Sequence, residues 1–162
     1  MPMQQDANAD TPALRVLREL GLPHEVVRTR RATSVEEAAE LRQIPVAALL
    51  KTIVVRRGED DYLFALVPGD RTIDWAKLRG HLGIRRMSLP DAAEALAVTG
   101  YERGTITPFG ASHHWPVIAD STIVGAAMVS IGGGAHGVSV KLAGQGMLAA
   151  LGAEVADITK PG

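Results

Sequence analysis

The sequence predicts an α+β fold with a mixed, mainly antiparallel sheet. Short hairpin patterns are mixed with helical patterns and do not alternate regularly with them, which argues against a doubly wound sheet. The 162 residues suffice for one domain with a substantial core, and 46% of them are hydrophobic, as in ordinary globular proteins. No internal repeat or long linker divides the chain. We expect a disordered tail over residues 1–10 and one domain over 11–162.

Capping patterns predict the helices. Asp10 or Thr11 can cap a helix that has Pro12 in its first turn and ends at Gly21, because a side-chain oxygen satisfies first-turn amides and glycine accepts left-handed angles. Related signals, among them the capping box Ser34 to Glu37 and a cap at Asp74, predict further helices over 35–42, 75–82, 90–98 and 145–151, with a helical turn after Pro45.

Apolar runs predict the strands, which we expect over 25–27, 50–55, 62–67, 84–87, 115–119, 125–129, 138–142 and, at an edge, 155–158. The runs 50–55 and 62–67 flank a turn and are almost continuously apolar, so they read as a central hairpin covered on both faces. Apolar and polar residues alternate over 138–142, which predicts a half-exposed strand there.

Composition excludes several classes of function. The net charge is −1, so no overall basic field attracts long nucleic acids, although contact with one RNA end stays open. The chain has no cysteine, which rules out disulfides, thiol nucleophiles and cysteine-based zinc sites. Neither a secretory signal nor an apolar run of membrane-spanning length is present, so we expect the cytoplasm and no membrane partner.

Lys51 stands out within the predicted central hairpin. Side chains alternate along a strand, so Lys51 points to the same face as Ile53 and Val55. A buried ammonium without a partner is costly. Lys51 therefore lies either at the open end of its strand or in a pocket whose ligand is an anion.

Two glycine-containing loops are candidates for ligand binding. The stretch 100–110 contains Gly104 and Gly110, which let a ligand approach the main chain, together with Thr107, Pro108 and Phe109. The stretch 130–137 contains Ser130 and three consecutive glycines, Gly132, Gly133 and Gly134, whose amides can form a nest for a phosphate or an oxyanion. From composition alone, a plain turn and a flexible hairpin tip fit these stretches as well.

Among the histidines, His136 is the best ligand-binding candidate because it lies inside the second glycine cluster. The adjacent pair His113 and His114 would point to opposite faces of a strand, so we predict no metal site there and leave the role of His113 open. No Ser-His-Asp arrangement and no P-loop is recognisable. We expect no cofactor.

Three motifs together resemble the YbaK/EbsC family, also called the prolyl-tRNA synthetase associated domain. They are Leu-Lys-Thr-Ile at 50–53, Gly-Tyr-Glu-x-Gly-x-x-x-Pro-Phe-Gly at 100–110, and the glycine-rich hairpin at 130–137. The likeness extends over nearly the whole chain, from about residue 12 to 160. It implies a curved mixed sheet and a free-standing deacylase acting on mischarged tRNA(Pro), commonly with Cys, Ala or another small residue. Prolyl-tRNA synthetase is the implied possible partner.

The resemblance also assigns roles to residues. The family's lysine maps to Lys51, and its second glycine-rich loop maps to Gly132, Gly133 and Gly134, which are the expected catalytic residues. We expect Lys51 to contact a phosphate or ribose and the three glycine amides to face the ester carbonyl. The expected substrate-binding residues are Thr52, Gly104, Thr107, Pro108, Phe109, Gly110, Ser130 and His136. Many relatives have a basic Lys-Arg-Gly type ending in the second loop, whereas this chain has Ala-His-Gly at 135–137, so the amino acid removed stays open.

Two other functions compete with the deacylase. One is a binding module for a tRNA end or a synthetase, with the same fold and no catalysis. The other is an unrelated nucleotide-binding domain whose glycine loops contact phosphate.

Overall fold

The computed structural model describes residues 10–162, and the predicted tail lies outside these residues except for Asp10, whose carboxylate pairs with Arg18 at 2.8 Å. The described helices are α1 (Pro12–Leu20), α2 (Val35–Arg42), α3 (Trp75–Leu82), α4 (Ala92–Thr99) and α5 (Gly144–Leu151). Short 3₁₀ turns cover Val46–Ala48 and Ser121–Ile123.

The predicted caps account for the helix starts. The side chains of Thr11, Ser34 and Asp74 accept hydrogen bonds from amides three residues later, which confirms the starts of α1, α2 and α3. The prediction that α4 begins at Pro90 is wrong: Asp91 accepts from the Glu94 amide, so the helix starts after that cap.

The described strands are β1 (His24–Arg28), β2 (Leu50–Gly58), β3 (Asp61–Pro68), β4 (Arg71–Ile73), β5 (Val117–Asp120), β6 (Val129–Gly132), β7 (Val138–Leu142), β8 (Glu154–Ala156) and β9 (Thr159–Pro161). The larger sheet has the order β2-β3-β5-β8, antiparallel at β2-β3 and parallel thereafter. A second, antiparallel sheet has the order β1-β7-β6, and β4 pairs with β9. The mixed α+β class is confirmed.

A parallel bridge between Leu49 and Ser130 connects the two main sheets. It places the start of β2 beside β6, so the predicted Lys51 strand and the second glycine cluster meet at this seam. We call this junction the sheet seam. No apolar or capping pattern in the sequence predicts it.

Three strand predictions need correction. Residues 84–87 form no strand, and the backbone pairing there is a single bridge between Arg56 and Ser88. The strand predicted over 125–129 begins at Val129 and runs to Gly132, because β7 is its partner there. The strand β7 is not half-exposed: its residues are buried on both faces except for Lys141, which is partly buried, and Ser139 is 3% exposed.

Apolar side chains cover both faces of the β2-β3 hairpin, as predicted. On one face, Leu50, Val54 and Phe64 pack in a cluster that extends to β6, β7 and α1. On the other, Val55 and Leu63 pack with residues of α3 and β5. The hairpin thus separates two hydrophobic cores, one on each face. The start of β2 lies at the sheet seam.

Candidate active site

A cavity of about 400 Å³ opens at the sheet seam. Its walls come from the segment after β1, from α2, from the start of β2, and from both glycine-containing loops. The predicted site residues that line it are Lys51, Thr52, Gly104, Gly132 and His136. Elements far apart in sequence therefore share one hollow, and we call it the seam cavity.

The two loops contact each other at the seam cavity. A Cβ atom on Gly104 would lie 3.5 Å from Cε1 of His136, so these residues are neighbours. A Cβ atom on Gly132 would lie 3.3 Å from the carbonyl oxygen of Ile106, closer than most side chains tolerate. Gly104 has a φ of 89°, an angle that favours glycine. Glycine at these positions thus keeps the loops close and the cavity wall thin.

Lys51 lines the cavity, but its ammonium group has a partner in the main chain. Nζ donates to the carbonyl oxygen of Arg71 at 2.6 Å. Burial lowers the pKa of Lys51, and the carboxylate of Asp70 opposes this shift. The cation sits at the open end of β2, which was one of the two predicted positions, and it also borders the cavity.

Thr52 and Arg42 have hydrogen-bonding groups that protein atoms do not fully satisfy. The hydroxyl oxygen of Thr52 is buried and has no hydrogen-bond partner within residues 10–162. Arg42, the last residue of α2, donates from Nη1 to the hydroxyl of Ser130 at 3.2 Å. Burial lowers the pKa of Arg42. Unpaired polar groups of this kind are costly unless a ligand or water satisfies them.

The charge of the seam cavity is one-sided. None of the described residues that line it is Asp or Glu. Lys51 and four arginines line it, namely Arg30, Arg31, Arg42 and Arg103. Three carboxylates act on these groups from outside the lining: Glu37 pairs with Arg30 at 3.0 Å, Glu102 lies 3.4 Å from Nε2 of His136, and Asp70 opposes the lowered pKa of Lys51. Such a cavity attracts an anionic ligand.

The remaining predicted site residues lie elsewhere. Pro108, Phe109 and Gly110 line a second cavity of about 690 Å³ beside α1 and α5, not the one with Lys51. Phe109 is 2% exposed and packs in the main core, so its ring faces protein atoms. The side chains of Thr107 and Ser130 are fully buried. These residues shape the loops around the seam cavity without lining it.

The triple glycine does not form an open nest. The Gly133 amide donates to the carbonyl of Val138 at 2.9 Å, and the Gly133 carbonyl accepts from the Thr11 hydroxyl at 2.6 Å. Gly134 faces Tyr101, whose Cε1 would be 2.8 Å from an added Cβ. Of the three glycines, Gly132 is the one that lines the seam cavity.

Tyr101 anchors the first loop. Its hydroxyl donates to the Phe109 carbonyl at 2.7 Å, which ties one end of the stretch 100–110 to the other. Burial raises the pKa of Tyr101 to about 12, because the ionised phenol would lose its water. The neutral hydroxyl therefore keeps this hydrogen bond over the whole physiological range.

The other histidines have partners outside the seam cavity. His113 stacks on Trp115 with ring centroids 5.2 Å apart, and His114 lines the second cavity. His24 and His81 contact a main-chain carbonyl and Glu154 respectively. In residues 10–162 no three His, Cys, Asp or Glu side chains are grouped as a metal ion would need.

No helix in this part of the chain is long and apolar enough to cross a membrane.

Sequence reasoning missed Arg42 and Arg103 as cavity residues. Arg42 ends a helix, where a cation commonly complements the helix dipole, so its sequence context gives no sign of a site. Arg103 lies inside the predicted loop 100–110 but reads as an ordinary exposed charge. The folded chain brings both arginines to one cavity through the pairing of distant strands, and that is not a property of the local sequence.

Comparison with known proteins agrees with this geometry. Residues 29–150 match the family model described as the aminoacyl-tRNA editing domain. A segment of the proline–tRNA ligase of Thermosipho africanus is 33% identical over 111 residues, which is 68% of this chain and 18% of the ligase. The chain thus spans less than a fifth of that relative.

Two further proteins match over nearly their full length. EbsC of Enterococcus faecalis, whose name describes it as a candidate Cys-tRNA(Pro)/Cys-tRNA(Cys) deacylase, is 24% identical over 92% of this chain and 93% of its own. A crystal structure of a candidate trans-editing enzyme for prolyl-tRNA synthetase superposes with a TM-score of 0.85 at 25% identity, covering 96% of this chain and 97% of that one. The resemblance to YbaK/EbsC proteins is confirmed. The matched residues 29–150 make up most of the chain and include all of β2 and both glycine-containing loops. The protein therefore belongs to the aminoacyl-tRNA editing domain family.

Proposed function

We propose that the chain is a trans-editing hydrolase that deacylates mischarged aminoacyl-tRNA, with Cys-tRNA(Pro) or tRNA(Pro) carrying another small amino acid as its substrate. The observation that carries this proposal is the seam cavity, where Lys51, Thr52, Gly104 and Gly132 border one hollow whose charged lining is cationic. An RNA end carrying an acyl ester is a ligand of matching charge. The names of the relatives supply the reaction class.

Such an activity answers a physical limit of synthetases. One methylene or one hydroxyl changes binding free energy by only about 1–3 kcal/mol, so a synthetase separates small, similar amino acids poorly. A second site that hydrolyses the wrong product improves the discrimination.

The reaction suits a site without a strong nucleophile. A water oxygen adds to the ester carbonyl carbon, the bond from that carbon to the ribose oxygen breaks, and one water proton ends on the ribose hydroxyl. The products are the free amino acid and uncharged tRNA. Since the ester is already reactive, the site has to hold the terminal nucleoside, orient a water or a ribose hydroxyl, and stabilise the developing oxyanion.

The proposed roles follow the cavity wall. Lys51 contacts a phosphate or ribose at the acceptor end, after exchanging the Arg71 carbonyl for a substrate oxygen. Gly132 borders the ester carbonyl, while Gly133 supports it from behind because its amide is already bonded to Val138. Thr52 and His136 contact the bound nucleotide or its acyl group.

The proposed substrate also indicates partners and location. The tRNA(Pro) acceptor end is the ligand, and prolyl-tRNA synthetase, several of whose bacterial forms contain a similar segment, is the candidate protein partner. Aminoacyl-tRNA is consumed in the cytoplasm, which is where we expect the protein to act.

A panel of mischarged tRNA(Pro) species, each assayed with and without prolyl-tRNA synthetase, tests the proposal. We expect release of a small amino acid and no release of proline. Binding of the charged tRNA without turnover would instead support a non-catalytic module. Strong thermal stabilisation by a free nucleotide, with neither tRNA binding nor turnover, would support a nucleotide-binding domain.

A further inference from the structure

Arg42 differs from the other arginines of the seam cavity. Arg31 and Arg103 are exposed, and Arg30 is both exposed and paired with Glu37. Arg42 is partly buried at the end of α2, and no carboxylate of residues 10–162 forms an ion pair with it. A guanidinium has five N–H donors, and in this partly buried position few water molecules can accept hydrogen bonds from them.

The sheet seam fixes the position of this guanidinium. Nη1 of Arg42 donates to the hydroxyl of Ser130, whose side chain is fully buried in β6. Ser130 also pairs with Leu49 at the bridge between the two sheets. The arginine is thereby held against the frame of the fold. Arg42 and Thr52, whose buried hydroxyl has no partner in the described chain, are both among the residues that line the cavity.

The chemistry of the substrate restricts what Arg42 can bind. In an aminoacyl ester the carboxyl group is esterified and the amino group is a cation. The formal negative charges of an aminoacyl-tRNA end are therefore the phosphodiesters. A planar guanidinium also matches the geometry of two phosphate oxygens, which it can bind with two parallel hydrogen bonds.

We infer that Arg42 is a substrate-positioning residue that binds a phosphodiester near the 3′ terminus of the tRNA, and this inference rests on the proposed function. Ser130 orients the guanidinium, and the Thr52 hydroxyl supplies a neighbouring donor. The contact exists before the chemical step, so it contributes to binding of substrate and transition state alike and governs KM more than kcat.

Two unreactive probes test the inference. The first is an eight-nucleotide RNA that ends in CCA and carries alanine through an amide on its terminal 3′-amino-adenosine. The second is the same aminoacyl-amide adenosine as a free nucleoside without phosphate. We expect Arg42→Gln to weaken binding of the first probe by about 10- to 100-fold, the range of charged hydrogen bonds, and to leave binding of the second unchanged.

Salt dependence gives a readout that a structural role would not move. Each phosphate contact on a single strand contributes about −0.7 to the slope of log K against log salt concentration, so Arg42→Gln should make the slope shallower by about that amount. Arg42→Lys keeps the charge but not the fork, and we expect an intermediate affinity. Arg86→Gln removes an exposed arginine outside the cavity and should change neither probe.

The outcomes separate the two levels of the proposal. Equal losses on both probes, or no loss on either, would overturn the role of Arg42 while deacylation by the wild type keeps the proposed function. Failure of the wild type to bind either probe and to hydrolyse any charged tRNA would overturn both. If Arg42→Gln does not fold, Arg42→Lys and Ser130→Ala provide the same comparison, with a selective loss on the phosphate-bearing probe expected.

Discussion

The ammonium group of Lys51 donates a 2.6 Å hydrogen bond to the main-chain carbonyl of Arg71, the first residue of β4. The next residue, Thr52, belongs to the opposite face of the strand, since neighbouring side chains alternate. The start of β2 therefore has a cation on one side and, on the other, a buried hydroxyl without a partner in the described chain. Because the Arg71 carbonyl is neutral, a phosphate or carbonyl oxygen of a ligand can replace it at modest cost.

Lys51→Ala should lower kcat/KM for deacylation by at least about 100-fold, the scale of a lost electrostatic contact in an active site. The fold should persist, because the ammonium makes one hydrogen bond to a main-chain carbonyl, and losing a charged hydrogen bond of this kind costs about 1.5–3 kcal/mol. Lys77→Ala, which removes a lysine paired with Asp157 outside the cavity, is the matched control and should keep full activity. Deacylation by Lys51→Ala at the wild-type rate would refute the role.

Thr52→Val should reduce activity without reducing stability. The hydroxyl has no partner in the described chain, so its removal should leave the free energy of unfolding unchanged or raise it by up to about 1 kcal/mol. Thr99→Val is the opposite case, because that buried hydroxyl donates to Ala95 and accepts from the Tyr101 amide. It should destabilise the protein by about 1–3 kcal/mol and retain kcat/KM. Urea unfolding and deacylation rates measure both variants, and unchanged activity in Thr52→Val would contradict a ligand contact.

Gly104→Ala and Gly125→Ala form a matched pair. Both glycines have a left-handed backbone, with φ of 89° and 91°, so alanine should cost each about 1–2 kcal/mol of stability. A Cβ on Gly125 meets nothing within 4 Å, whereas a Cβ on Gly104 enters the wall of the seam cavity beside His136. Thermal unfolding should show similar losses, and steady-state kinetics should show a drop of about 10-fold in Gly104→Ala alone. Equal kinetics in both variants would remove Gly104 from the site.

Asp120 should make the free energy of unfolding depend on pH in the acidic range. Burial alone would raise its pKa, but hydrogen bonds from Thr122 and from the Ile158 amide outweigh burial and hold the pKa below the ordinary value of an aspartate. With the folded pKa below the unfolded one, the carboxylate stabilises the protein fully above about pH 4, and this contribution is lost as the pH falls through the folded value.

Asp120→Asn tests this dependence. We expect a loss of about 1–3 kcal/mol at pH 7 and a flatter stability profile between pH 4 and pH 2 than in the wild type, measured by urea unfolding. Parallel profiles for the two proteins would show that other groups dominate the acid response.

Local interactions explain why most elements could be predicted. A cap such as Ser34 acts on an amide three residues away, and the central hairpin joins two strands through a short turn, so the relevant partners are close in sequence. The strand β6 was misplaced for the opposite reason: its bounds follow from pairing with β7, not from its own apolar residues.

The candidate site divides in the same way. Lys51 and Gly104 are visible in the sequence because a cation in an apolar strand and a glycine four residues before a proline, within one loop, are locally recognisable. Arg42 is locally ordinary, and the residues 107–110 look like ligand-binding residues although they pack away from the seam cavity.

The sequence by itself determined most of the helix starts, the central hairpin, the two glycine-containing loops and the family to which they point, because each of these rests on neighbouring residues. The tertiary structure alone decided which of those groups share a cavity, since the bridge from Leu49 to Ser130 joins strands 81 positions apart (130 − 49). At that junction the charged residues that line the cavity are cations. Its cause is long-range sheet pairing, which no local preference encodes.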